Sequence, residues 1–168
     1  MDKDLNNLIE FCNVVPEAFL ILGTCLGAVR DKKFIKDWQF DIDLGIMKGD
    51  FKEEYVKELQ ERGFGVVMNL LGREDGFLIA FKKDGIKFDL ITFKEEEDFV
   101  WTTAFSNPDL QPRGRHVFSK EAFKVEEHEI DGFKFRSLGE KYLEEYYGDW
   151  RVPRSDWLWF RDPKSFKP

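Results

Sequence analysis

The chain has 168 residues, 42% hydrophobic and 16% aromatic, enough apolar material for one domain with a full core. Its formal net charge of −7 excludes a general nucleic-acid binder, which needs a basic footprint, but not a nucleotide ligand held by a few charged groups. No run approaches the length of a membrane span and no basic-then-apolar signal pattern opens the chain. Cys12 and Cys25 lack ligand or disulfide spacing, so a reduced, cytoplasmic protein is expected.

Asp4 to Val14 reads as a helix with Leu5, Leu8, Ile9 and Cys12 on one face, ended by Pro16. Ala18 to Leu22 is a fully apolar run, a candidate central strand. After Gly23, Thr24 to Arg30 reads as a short helix with Thr24 at its N-cap. Phe40 to Ile46 alternates and is predicted as a strand. Asp50 to Arg62 is predicted as a helix capped by Asp50, with Tyr55, Val56 and Leu59 inward and Gly63 as its stop. Phe64 to Leu70, Phe77 to Lys82 and Ile86 to Phe93 read as strands, the last two joined by the turn Lys83-Asp84-Gly85. Ser106 to Arg115, with Pro108 and Pro112, reads as a loop. Val125 to Ile130 and Phe133 to Arg136 form a second predicted hairpin across Asp131-Gly132. Leu138 to Tyr147 reads as a helix closed by Gly148. Helices and strands interleaved in this way predict a mixed α/β or α+β domain spanning residues 1–168.

Two aspartates carry the chemistry. Asp41 and Asp43 lie two residues apart on a predicted strand, so they share one face while Phe40, Ile42 and Leu44 take the other. Adjacent carboxylates repel unless a positive charge lies between them, and hard oxygen ligands suit Mg2+ or Mn2+. In Ile86-Lys87-Phe88-Asp89-Leu90 the same parity sets Asp89 opposite to its apolar neighbours. If the two strands are adjacent, Asp89 becomes a third ligand at the rim of a cleft. Three such acids suit one cation or two about 3.5–4 Å apart, an arrangement that clamps the oxygens of an in-line displacement at phosphorus. A D-x-D on a strand is by itself common; the glycine turn upstream and the strand aspartate downstream strengthen it.

The order G-[ST]-x-L-G-x-x-R, then W-x-x-D-x-D, then a late strand aspartate resembles the LicD/fukutin family of the nucleotidyltransferase superfamily. It is carried here by Gly23-Thr24-Cys25-Leu26-Gly27-Ala28-Val29-Arg30, by Phe34-Ile35, by Trp38-Gln39-Phe40-Asp41-Ile42-Asp43-Leu44-Gly45 and by Lys87-Phe88-Asp89-Leu90. Tyr142-Leu143-Glu144-Glu145-Tyr146-Tyr147-Gly148-Asp149-Trp150-Arg151-Val152-Pro153 resembles the family's closing motif of Tyr-Gly, Trp and Pro. The chain departs from many relatives in having Lys36-Asp37 in place of a single proline, and Gln39 and Phe40 in place of further acids.

The resemblance implies an α+β, nucleotidyltransferase-like fold: a mixed sheet flanked by helices. It implies metal-dependent transfer of a phospho-alcohol group, of the phosphocholine or ribitol-phosphate type, from a CDP-linked donor to a glycan hydroxyl, with release of CMP. On that reading Asp41, Asp43 and Asp89 hold Mg2+ or Mn2+, and Asp89 is the candidate general base. Gly23 and Thr24 meet a phosphate at a helix start, with Arg30 as a further phosphate ligand. Two alternatives stay open: a nucleotidyltransferase that uses a nucleoside triphosphate and releases pyrophosphate, and a catalytically silent nucleotide-binding module. Arg30 reads equally as a cation at a helix C-terminus. Trp101 is either a stacking platform or core; Arg113 and Arg115 are either diphosphate ligands or solvated loop residues. Trp150, Trp157 and Trp159 with Arg151, Arg154 and Arg161 either frame an anionic acceptor or pack the tail. His116 and His128 have no partner at ligand spacing.

Overall fold

A computed structural model describes residues 2–36, 40–72, 77–105 and 111–168. The motif residues Asp37, Trp38 and Gln39, and Pro108 of the expected loop, lie outside the described residues. Helix α1 (Lys3–Val14) starts where the Asp2 side chain accepts the Asp4 amide. Its buried face runs through Leu5, Leu8, Phe11 and Val14, with Ile9 and Cys12 only half-buried. Strand β1 (Phe19–Leu20) is shorter than the expected Ala18–Leu22, because Leu22 already opens α2 (Leu22–Leu26). The expected helix Thr24–Arg30 is therefore split. α2 runs directly into a π-type turn over Gly27–Asp31.

Strand β2 (Ile42–Met47) begins just after Asp41. A 3-10 turn over Lys48–Asp50 follows, then α3 (Glu53–Glu61). Asp50 thus lies in that turn and does not cap α3; Lys52 occupies the N-cap position without a side-chain bond. Strands β3 (Gly65–Asn69), β4 (Leu78–Lys83) and β5 (Ile86–Glu95) follow as expected. Asp84 and Gly85, at φ of 50° and 88°, form the tight turn between β4 and β5. Strands β6 (Phe99–Phe105) and β7 (Pro112–Ser119) form an antiparallel pair. β7 corrects the loop reading at Pro112 to Arg115, and β6 had no sequence prediction. The second hairpin, β8 (Glu126–Ile130) and β9 (Phe133–Ser137), turns at Asp131-Gly132; α4 (Glu140–Tyr147) and a short β10 (Phe166–Lys167) complete the chain.

These elements make an α+β fold around a ten-stranded mixed sheet in the order β10-β7-β6-β5-β2-β1-β9-β8, with β4 and β3 branching from β5. β5 is the hub: it pairs in parallel with β2, antiparallel with β4, and through Lys94 and Glu95 with β6. The face bearing Ile42, Leu44, Phe88 and Leu90 is buried under α1. Phe11 of α1 stacks on Phe88 with centroids 5.5 Å apart, and Phe64 and Phe81 meet it edge-on. On the opposite face, Phe123 joins Phe19 and Phe93 to Phe118 of β7 and Tyr142 of α4. Gly45 is glycine because side chains close over it: a Cβ there would meet Phe19 at 2.6 Å, Ile21 at 2.9 Å and Phe93 at 3.0 Å. No helix among the described residues is long and apolar enough to cross a membrane.

Candidate metal centre

Strand parity sets Asp43 on the β2 face opposite to Ile42 and Leu44, and Asp89 on the β5 face opposite to Phe88 and Leu90. The parallel register then decides whether they meet, and it pairs Asp43 directly with Asp89. Asp41, just before β2, shares the parity of Asp43. One oxygen from each of the three carboxylates lies within 4.8 Å of the others. The predicted cluster therefore forms. The cleft expected beside it does not coincide with the surface depressions lined by Glu54, Lys57, Glu58, Glu61 and Arg62, or by Met47 to Asp50 and Phe93 to Glu95.

The cluster is electrostatically costly. Asp43 is 7% exposed and Asp89 9%. Burial pushes the Asp43 carboxyl well above the ordinary carboxylate range, and the charges of Asp41 and Asp89 push it further, against Lys87 and the Gly23 amide. Burial also raises Asp89, with Lys87 pulling it down and Asp41 adding to the rise. Lys87 answers part of this charge. Its Nζ lies 2.8 Å from Asp89 Oδ2 and 3.2 Å from Asp41 Oδ2. Burial alone would lower the Lys87 ammonium, but Asp89 and Asp41 outweigh it and hold it above its ordinary range. Asp89 Oδ1 is buried and accepts no hydrogen bond among the described residues.

The glycine turn works differently from the sequence expectation. The residue with positive φ is Leu22, at 46°, and Gly23 is in the first turn of α2. A Cβ at Gly23 would meet only Asp43 Oδ2, at an ordinary 3.7 Å. Neither backbone conformation nor crowding within the chain requires glycine there; its missing side chain leaves open the space beside the Asp43 carboxylate. Thr24 is inside α2, with Ile21 at the N-cap position, so the N-cap reading is corrected. Its Oγ1 accepts the Asp43 amide at 2.9 Å, and the Ile21 amide donates to the Asp43 carbonyl at 3.2 Å. The turn thus ties the start of α2 to the strand that carries Asp43.

Three oxygen ligands, one orphaned carboxylate oxygen and an open space beside Asp43 fit a hard divalent cation such as Mg2+ or Mn2+. Residues 16–144 match the family described as LicD/FKTN/FKRP, nucleotidyltransferase domain. The chain belongs to the LicD/FKTN/FKRP family. It is similar to the ribitol-5-phosphate transferase FKTN of Macaca fascicularis and of Homo sapiens, each 30% identical over 154 residues, and to that of Mus musculus at 29%. Each alignment covers 89% of this chain and 32% of the relative, so the chain spans about a third of the length of the curated relatives it matches.

The other candidate residues are engaged locally. Arg30 makes a bidentate pair with Asp31, its Nη2 at 2.8 Å from Oδ2. Trp101 is buried: its Nε1 donates to Glu96 at 2.9 Å, Arg115 lies 3.8 Å and Lys94 4.4 Å from its ring centroid. Arg113 stands on β7 with its guanidinium 4.2 Å from the Phe166 ring centre. Trp150 is buried under Arg151, and Trp157 packs on Tyr147 with centroids 4.8 Å apart. Arg151, Arg154 and Arg161 pair with Glu140, Asp156 and Asp162, while Trp159 remains 40% exposed. Packing is the role the structure gives to Trp101, Trp150 and Trp157. Sequence reading passed over Lys87, although its signal was present: it lies two residues before Asp89 and so shares that face.

Proposed function

We propose that this LicD/FKTN/FKRP-family chain transfers a phospho-alcohol group from a CDP-linked donor to a glycan hydroxyl. The observation that carries this reading is the pairing of Asp43 with Asp89 across two parallel strands, with Asp41 in reach of both. Asp41, Asp43 and Asp89 would hold Mg2+ or Mn2+, which neutralises the donor's diphosphate when bound. Gly23 supplies space for a phosphate beside Asp43, and Thr24 fixes the position of Asp43. Arg30 is the further phosphate ligand in this reading; its bond to Asp31 uses Nε and Nη2. The acceptor oxygen attacks the donor's distal phosphorus; a P–O bond to the acceptor forms as the P–O bond to CMP breaks. Asp89, its carboxyl raised and Oδ1 without a partner, takes the hydroxyl proton, and CMP leaves with the bonding electrons.

Ribitol-5-phosphate is the group that FKTN carries in its name, so CDP-ribitol is the first donor to test, beside CDP-glycerol and CDP-choline. Purified protein with Mg2+ and a panel of glycan acceptors is expected to release CMP from one of them. Asp43→Asn is expected to abolish release while melting, without metal, at or above the parent temperature, because one buried like charge is gone. Release of pyrophosphate from a nucleoside triphosphate would replace this reading by nucleotidyl transfer. Donor-dependent thermal stabilisation without turnover would leave a binding module. We further propose a cytoplasmic location, from a sequence in which Cys12 and Cys25 lack disulfide or ligand spacing.

A further inference from the structure

Lys87 is on the same face as the acids, and its ammonium pairs with two of them. Its ammonium spans Asp41 and Asp89, the residues that open and close the cluster, at 3.2 and 2.8 Å. A lysine in this position does what a metal ion does: it brings carboxylates from two strands to one positive centre. It is also tethered, so its local concentration is high and independent of the solution. A divalent cation that binds the same oxygens must displace it and then tolerate a positive charge a few ångströms away. With 45% of its side chain exposed, Lys87 has open solvent into which to swing.

We propose that Lys87 is an internal counter-ion of the acid cluster, which holds the three carboxylates together without metal and sets the affinity for a free divalent cation by competing with it. The chemistry explains why a lysine is tolerated here. With three carboxylates and one ammonium, the cluster keeps a net negative charge for a divalent ion but offers little to a monovalent ion of the ammonium's own charge. Lys87 is in this sense a positioning residue: it acts on the acids, not on the substrate.

The proposal rests on the metal reading above, and Mn2+ binding tests the two separately. Mn2+ is titrated into the metal-free protein, followed by the paramagnetic resonance signal of free Mn2+, with no donor present. Lys87→Met removes the charge and keeps the length; it is expected to bind Mn2+ about tenfold more tightly, from the loss of one positive charge close to the ion. Lys87→Gln repeats the test should the methionine variant fail to fold. Lys87→Arg, which keeps the charge, is expected to return the affinity to the parent value. The metal-free Lys87→Met protein should also melt lower than the parent, and the rise in melting temperature on adding Mn2+ should be larger. A merely structural lysine would shift the melting temperature and leave Mn2+ affinity alone; equal or weaker binding by Lys87→Met overturns the proposal. Binding by Lys87→Met but not by the parent supports competition and overturns the metal reading of the parent. Binding by neither overturns both.

Discussion

Gly23 and Thr24 stand side by side and serve Asp43 in opposite ways. The threonine fills its position, with its hydroxyl oxygen accepting the Asp43 amide, whereas the glycine leaves its own empty. The sequence signal at both positions was genuine, but its physical basis was not visible in one dimension. A Thr after a Gly before an apolar run is the usual pattern of a helix N-cap. Here Leu22 takes the left-handed φ instead, which moves the helix start back by two residues and turns Thr24 toward β2. The separation of roles makes Gly23→Ala diagnostic. The backbone there is helical and the added methyl finds no closer neighbour than 3.7 Å, so the variant should be no less stable than the parent, and up to about 1 kcal/mol more by helix propensity. Donor binding should suffer instead. Titration of a CDP donor with Mg2+ against both proteins, with urea denaturation of each, checks this; a variant with parental donor affinity would show that the space beside Asp43 is not used.

At the scale of elements, segments whose signal is local were legible. The two hairpins follow from Asp84-Gly85 and Asp131-Gly132, where both residues of each pair adopt positive φ. α1 and α3 follow from periodicity, and α4 ends at Gly148, with φ of 78°. β6 and β7 were not legible for different reasons. Phe99–Phe105 is buried on both faces and shows no alternation. β7 opens on Pro112 and holds Gly114 at φ 150°, residues that read as loop. Gly114 is required because β10 crosses over it: a Cβ would come 2.2 Å from the Lys167 carbonyl oxygen. The same pair of strands encloses His116, whose Nδ1 lies 3.0 Å from Ser165 Oγ and whose ring faces Tyr146 and Phe166. Burial, aided by the Arg113 charge, lowers its pKa from 6.5 to about 4. The folded state therefore refuses a proton that the unfolded chain accepts, and stability present above pH 6.5 is lost as the pH falls towards about 4. Stability measured by denaturant across this window should fall more steeply for the parent than for His116→Gln. Parallel curves would mean that His116 titrates normally.

For the molecule as a whole, parity was readable and register was not. Alternation told which side of each strand carries an acid; it did not tell that Asp43 would face Asp89, which depends on how β2 and β5 slide against each other. Alternation put Lys87 on the face of Asp89, but its second partner, Asp41 just before β2, depends on that same register. That pairing is parallel, so α3 and the β3–β4 hairpin must be traversed between the two strands. The consequence is kinetic. The carboxylates come together only after a long loop has closed, late on the way to the native sheet. An ion bound between them stabilises the native state and not the barrier that precedes it, so Mg2+ should slow unfolding and leave the refolding rate as it is. Stopped-flow folding in urea with and without Mg2+ separates the two limbs, and faster refolding with the ion would place the meeting of the acids before the barrier. The cation would then be a clasp on the finished sheet, governing how long the fold lasts and having no part in how fast it forms.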